Sequence, residues 1–178
     1  MPKRVTFSGS NQLIAQIALH HRDIENALRQ YFSITSDQVS GRFVGYSRQE
    51  LKLELQNRLD ELELTSSLAL LASFEATLRV DYLRRCYEKR KDPVSLEMRS
   101  VYKQRGARAG LEEGILSAWR RSIPGSKRLV DDLLAAYKFR HWLAHGRYWT
   151  PKLGARRFDF HQAYTLVHLA GEQFGLPA

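Results

Sequence analysis

Residues 51 to 90, LKLELQNRLDELELTSSLALLASFEATLRVDYLRRCYEKR, decide what kind of fold this chain adopts. Leu55, Leu59 and Leu62, then Leu64, Leu68, Leu71, Phe74, Leu78 and Tyr82, recur at spacings of three and four. That is the period of one face of an α-helix, whereas a half-buried strand alternates every second residue. Just upstream, Ser47 with Glu50 reads as a capping box, in which each side chain satisfies a free backbone N–H at a helix start. The spacing predicts a helix from Leu51 to about Arg90. Such a length is unusual for a single helix, so LTSS at 64 to 67 is expected to kink or break it, and Pro93 to end it.

Helical signals continue on both sides. Residues 11 to 32, NQLIAQIALHHRDIENALRQYF, form an amphipathic helix, followed by the linker SITSDQVSGRFVGY. Downstream, a helix from Ser95 to about Arg105 and a glycine-flanked one from Leu111 to Arg121 precede the turn SIPGSK at 122 to 127. A further helix carries LVDDLLAAYKFRHWLAHGRYW and is expected to run to Trp149, where TPKLGARRF breaks it. Asp159 with Gln162 caps a last helix, Phe160 to Phe174. No strand pattern, repeat or low-complexity segment appears. The expected fold is an all-α helical bundle in a single domain, with residues 1–46 as an N-terminal helical extension and 47–178 as the core.

The 178 residues can bury a sizeable core without disulfides or metals. With 28 Lys+Arg against 19 Asp+Glu the net charge is +9, which favours an anionic partner, nucleic acid first. The alternative is a solubility charge spread over the whole surface. A single cysteine, Cys86, excludes an internal disulfide and fits a reducing cytoplasm; its setting is that of a packed thiol rather than a nucleophile. There is no apolar signal-peptide run and no stretch near the roughly 20 apolar residues of a membrane span. The chain is therefore expected to be cytoplasmic and without a membrane partner.

FRHWLAHGRYW, residues 139 to 149, departs from its surroundings. Helical spacing from Leu133 passes through Tyr137, Arg140, Ala144 and Arg147, and from Leu134 through Lys138, His141 and His145. Two apolar turns are followed by two titratable ones on the same side. A second R-x4-H spacing, Arg156 to His161, lies in a basic loop and reads as accidental. His141 and His145 at i and i+4 could share a zinc ion, but no further Cys or acidic cluster accompanies them, so neither metal nor other cofactor is expected.

With an apolar helix leading in, a polar residue after the arginine and a small Ala144 before the histidine, RHWLAHG resembles the HEPN superfamily. These are all-helical domains defined by an arginine, four to six residues and a histidine. The resemblance implies a core of about four or five helices, matching 50 to 174 in kind. It makes SSLALLASFEATL similar to the family helix that packs against the motif helix and often supplies a polar or acidic residue, for which Glu75 is the candidate. Glu75 reads equally well as a solvated surface carboxylate.

Many HEPN proteins are metal-independent endoribonucleases, and the residue types suit that chemistry. Histidine exchanges protons near physiological pH, and arginine offers phosphate oxygens a fixed fork of donors that lysine cannot copy. The resemblance therefore implies Arg140, His141 and His145 as catalytic residues, with Glu75 in support. Arg147, Trp142, Tyr148 and Trp149 are the candidates for binding RNA, the aromatics by stacking on bases; aromatics beside such a helix are also common in cores and interfaces. One Arg/His set is half an acid–base site. In the family two sets meet across a twofold axis, so a homodimer with a composite site is expected, and the polar turns would line the groove between subunits. The implied role is a toxin or defence effector held by an antitoxin or other regulatory protein. The competing expectation is a non-catalytic HEPN module that binds RNA or protein. A DNA-binding regulator is weaker, because no short helix-turn-helix pattern is present.

Overall fold

The computed structural model describes residues 4–33 and 41–177. Residues 34–40 of the expected linker lie outside the described residues. The chain is all-helical, with no strand among the described residues. In order, α1 is Ile14–Tyr31, α2 Arg48–Tyr87 and α3 Pro93–Arg105. A π-helical segment, Leu111–Leu116, runs directly into α4, Ser117–Ser122; α5 is Lys127–Ala144 and α6 Phe160–Phe174.

The capping box at Ser47 forms as the sequence predicts: its Oγ accepts from the Glu50 N–H and Glu50 Oε2 accepts from the Ser47 N–H at 2.7 Å. The expected break at LTSS does not occur. Thr65 Oγ1 donates to the Glu61 carbonyl at 2.9 Å and Ser67 Oγ to that of Glu63 at 2.7 Å. The hydroxyls that might have competed with the helix are thus satisfied by its own carbonyls, and Ser66 and Ser67 are buried. Pro93 does not end α2 either. The helix stops at Tyr87, and Lys89 turns the chain with φ +53°. Pro93 instead opens α3 behind the N-cap Asp92, a position where proline loses no hydrogen bond.

Leu70, Leu71, Phe74, Leu78 and Tyr82 of α2 are buried at the centre of one core. Met98 of α3, Ile115 and Leu116 of the π segment, Trp119 of α4, Val130, Leu133 and Ala136 of α5 and Val167 of α6 complete it. Trp119 stacks on Phe174 with centroids 4.5 Å apart. α1 packs on α2 and brings Ile14 and Ile17 into the same core. The residues ahead of α1 run along α2, with the Val5 N–H donating to Tyr87 Oη at 2.9 Å and Ser73 Oγ to the Gln12 carbonyl. Cys86 is buried there, its thiol pushed up to about 11 chiefly by that burial, as befits a packed, inert group.

α5 ends at Ala144, not at Trp149 as the sequence suggests. Gly146 and Arg147 both take left-handed conformations, φ +82° and +58°, and the Arg147 N–H returns to the Trp142 carbonyl at 3.2 Å. That six-to-one bond is a Schellman closure, for which glycine is the usual residue because it has no Cβ to clash. α6 begins as expected, Asp159 Oδ1 accepting from the Gln162 N–H at 2.7 Å.

Candidate functional site

A cleft of about 690 Å³ opens beside the C-terminal half of α5. α5 supplies Tyr137, Lys138, Arg140 and His141; α2 supplies Glu75; the π segment gives Leu111 and Glu112; the loop after α5 contributes Trp149 and Lys152. Arg140 and Glu75 are brought near each other by the packing of α5 on α2. Glu75, the acidic candidate from the sequence, thus stands beside Arg140.

The charges are arranged around Glu75. Its Oε1 accepts from Arg79 Nε at 2.8 Å, and Arg79 Nη1 also donates to the Ala109 carbonyl at 3.2 Å. Glu75 Oε2 lies 3.8 Å from Arg140 Nη2, close enough for Coulombic attraction and too far for a hydrogen bond. Arg140 is one-third exposed, 33%, with Glu75 at 18%. The Arg140 Nε and the Tyr137 hydroxyl are both buried and find no hydrogen-bond partner among the described residues. Burial first, then the Glu75 charge, pushes the Tyr137 phenol well above its ordinary value, against the opposing pull of Arg140 and Arg79. Its proton stays in place, so the hydroxyl is a permanent donor.

His141 lines the cleft, and His145 caps α5 beyond it. Their rings are 4.2 Å apart and both residues are exposed. His145 belongs to the same cluster through His141, not through the cleft wall. Trp149 contacts His141, centroids 5.8 Å apart, and Tyr148 stands 84% exposed against Trp149.

The remaining RNA-binding candidates are placed otherwise. Trp142 stacks on Phe139 against the core, and its indole N–H donates to the Trp149 carbonyl, so it holds the loop. Arg147 lies outside the cleft with its guanidinium engaged by Glu61. The second R-x4-H pair is dispersed: Arg156 binds Asp132 at 2.7 Å, while His161 sits in the first turn of α6. Among the described residues no group of three or more His, Cys, Asp or Glu is placed to hold a metal ion. No helix there is long and apolar enough to cross a membrane.

Tyr137, Lys138, Glu112 and Lys152 line the cleft without having been singled out from the sequence. For Tyr137 a signal existed, since it stands one turn before Arg140 on the same stripe; it read as apolar. Lys152, in an irregular loop, carried none.

Comparison of the chain with family models, with curated proteins and with solved structures finds no match.

Proposed function

We propose that this protein is a metal-independent endoribonuclease of HEPN type. The observation that supports it best is the convergence of Arg140 and His141 on one cleft, with the His145 ring 4.2 Å from that of His141. Arginine suits the phosphodiester oxygens, where charge builds up as phosphorus becomes five-coordinate. One imidazole takes the proton of the ribose 2′-OH as its oxygen bonds to phosphorus. Another donates a proton to the 5′ oxygen as the P–O5′ bond breaks. The products are a 2′,3′-cyclic phosphate and a 5′-hydroxyl.

In this reading the active species is a homodimer, in which the exposed His145 of each chain reaches the composite groove between two motif helices. The role is that of a cytoplasmic toxin or defence effector restrained by an antitoxin or regulatory protein. The test is incubation of purified protein with RNA in EDTA. Cuts ending in 2′,3′-cyclic phosphate, absent from all-deoxy substrate, support the reading. Cleavage of all-deoxy substrate or a requirement for magnesium overturns it.

The second reading, a non-catalytic HEPN module that binds RNA or protein, is favoured by one observation: His145 does not line the cleft. Retention of RNA without cutting under the same conditions distinguishes it.

A further inference from the structure

Two buried donors at the cleft wall, the Tyr137 hydroxyl and the Arg140 Nε–H, have no acceptor among the described residues. They lie one turn apart on α5 and share a face. Buried donors are nearly always satisfied, and each one left unmade costs the fold stability. A pair of them side by side needs an explanation, and Glu75 provides it. Its Oε1 is held by Arg79, while its Oε2 accepts no hydrogen bond among the described residues and already lies 3.8 Å from Arg140 Nη2.

The Arg140 guanidinium has two edges with different surroundings. Its Nε is buried, yet the side chain as a whole is one-third exposed and lines the open cleft. Lys138, Arg140 and Lys152 line this space against the carboxylates of Glu75 and Glu112, so its lining is net positive and favours an anion. A shift of about one ångström would bring Arg140 Nη2, on the Nε side of the guanidinium and 3.8 Å from Glu75 Oε2, into hydrogen-bond range.

We propose that Tyr137 is a positioning residue for phosphate in this cleft. When a phosphate oxygen engages the outer N–H groups of Arg140, the Arg140 Nε–H and the Tyr137 hydroxyl close onto Glu75 Oε2. The closed arrangement satisfies both buried donors and fixes the guanidinium toward the phosphate. The ligand chemistry is a phosphate oxygen, from free phosphate or from a nucleic-acid backbone. The proposal rests on the cleft being the phosphate site of the preceding reading, and not on its cutting RNA.

The experiment compares wild type with Tyr137→Phe, which keeps the ring and removes the hydroxyl. Melting temperature and affinity are measured with inorganic phosphate and with an all-deoxy oligonucleotide, against chloride at matched ionic strength. Without ligand, the variant should melt no lower than wild type, because the lost hydroxyl was unsatisfied. With either ligand its affinity should fall about tenfold, the scale of one hydrogen bond to a charged partner. In a Glu75→Gln background the same substitution should cost little more, since Tyr137 acts through that carboxylate. Wild-type affinity in Tyr137→Phe overturns the proposal. So does a marked loss of unliganded stability or a failure to fold, either of which would mean that the hydroxyl serves the fold. Loss of oligonucleotide affinity alone, with free phosphate bound as by wild type, also overturns it. If wild type cuts RNA while Tyr137→Phe binds and cuts equally well, this proposal fails and the nuclease reading stands. If wild type cuts nothing while the variant loses phosphate affinity, the outcome is reversed.

Discussion

Arg147 grips Glu61 with both prongs of its guanidinium, Nη1 2.8 Å from Oε2 and Nη2 3.1 Å from Oε1, across 86 positions of sequence. The pair ties the turn after α5 to α2, and with the Trp142–Trp149 hydrogen bond it fixes the loop that carries Trp149 into the cleft. Both partners are largely solvated, so the pair contributes little to global stability. Arg147→Ala and Glu61→Ala should each leave the melting temperature nearly unchanged while speeding hydrogen exchange of the 145–149 amides. The double variant should match either single one. Unaltered exchange would assign the loop's order to the tryptophan bond alone.

Replacing His145 by alanine should lower RNA cleavage roughly 10²- to 10⁴-fold, the usual contribution of one acid–base group. Its ring is exposed, beside that of His141, so thermal unfolding should change little. Arg140→Lys should also lose cleavage, since an ammonium is a point charge and not a fork. His141→Ala should weaken activity less. A wild-type rate from His145→Ala would remove it from the mechanism.

Light scattering across a dilution series, with activity followed in parallel, addresses assembly. The active form should be a dimer, and activity should fall as it dissociates. Two arginines near a twofold axis repel, so phosphate should favour the dimer by mass action. Full activity in a monomer would exclude the composite site.

His21 should make the fold acid-sensitive. Its ring is 3% exposed, stacked on Phe160 with centroids 4.0 Å apart, and neither ring nitrogen has a hydrogen-bond partner among the described residues. Burial lowers its pKa from 6.5, outweighing the attraction of Glu63 (Oε1 at 3.5 Å) and of Glu25, and His161 lowers it further. The folded state therefore prefers the neutral ring, whereas the unfolded chain takes up a proton as pH falls through 6.5. The stability contributed is present above that value and is lost below it, until the folded-state pKa is reached. His21→Phe should flatten this part of the melting-temperature profile. An unchanged slope would assign it to other groups.

Much of this molecule is legible in the sequence where local chemistry decides the outcome. The periodicity of α2, the Ser47 box and the Asp159 cap all involve residues within one or two turns of each other, and each forms. The errors concern competition between local signals and their surroundings. LTSS does not break α2, because its hydroxyls find carbonyls within the helix. The motif helix stops early because a six-to-one closure at Gly146 outcompetes continued helical winding through 145–149. For the cleft, the sequence indicates Arg140, His141 and Glu75, which helical spacing and packing bring together. It could not show that Trp142 would turn into the core, or that Arg147 would reach back to Glu61.

The π-helical segment has a consequence for the cleft's construction. Both the Gly114 and Ile115 N–H groups return to the Gly110 carbonyl, at 3.1 and 3.2 Å, which fits one more residue into the turn than an α-helix holds. That extra residue acts as a phase shift between two surfaces. Upstream of it Leu111 and Glu112 face the cleft, and downstream Leu116 and Trp119 enter the core. Gly114 permits the close approach of α3: a Cβ there would stand 3.2 Å from Val101 Cγ1. Removing one residue between 112 and 115 would restore ordinary winding and rotate one surface against the other by about 100°. The core side is anchored by Trp119, so Leu111 and Glu112 would swing away and the cleft would lose that wall.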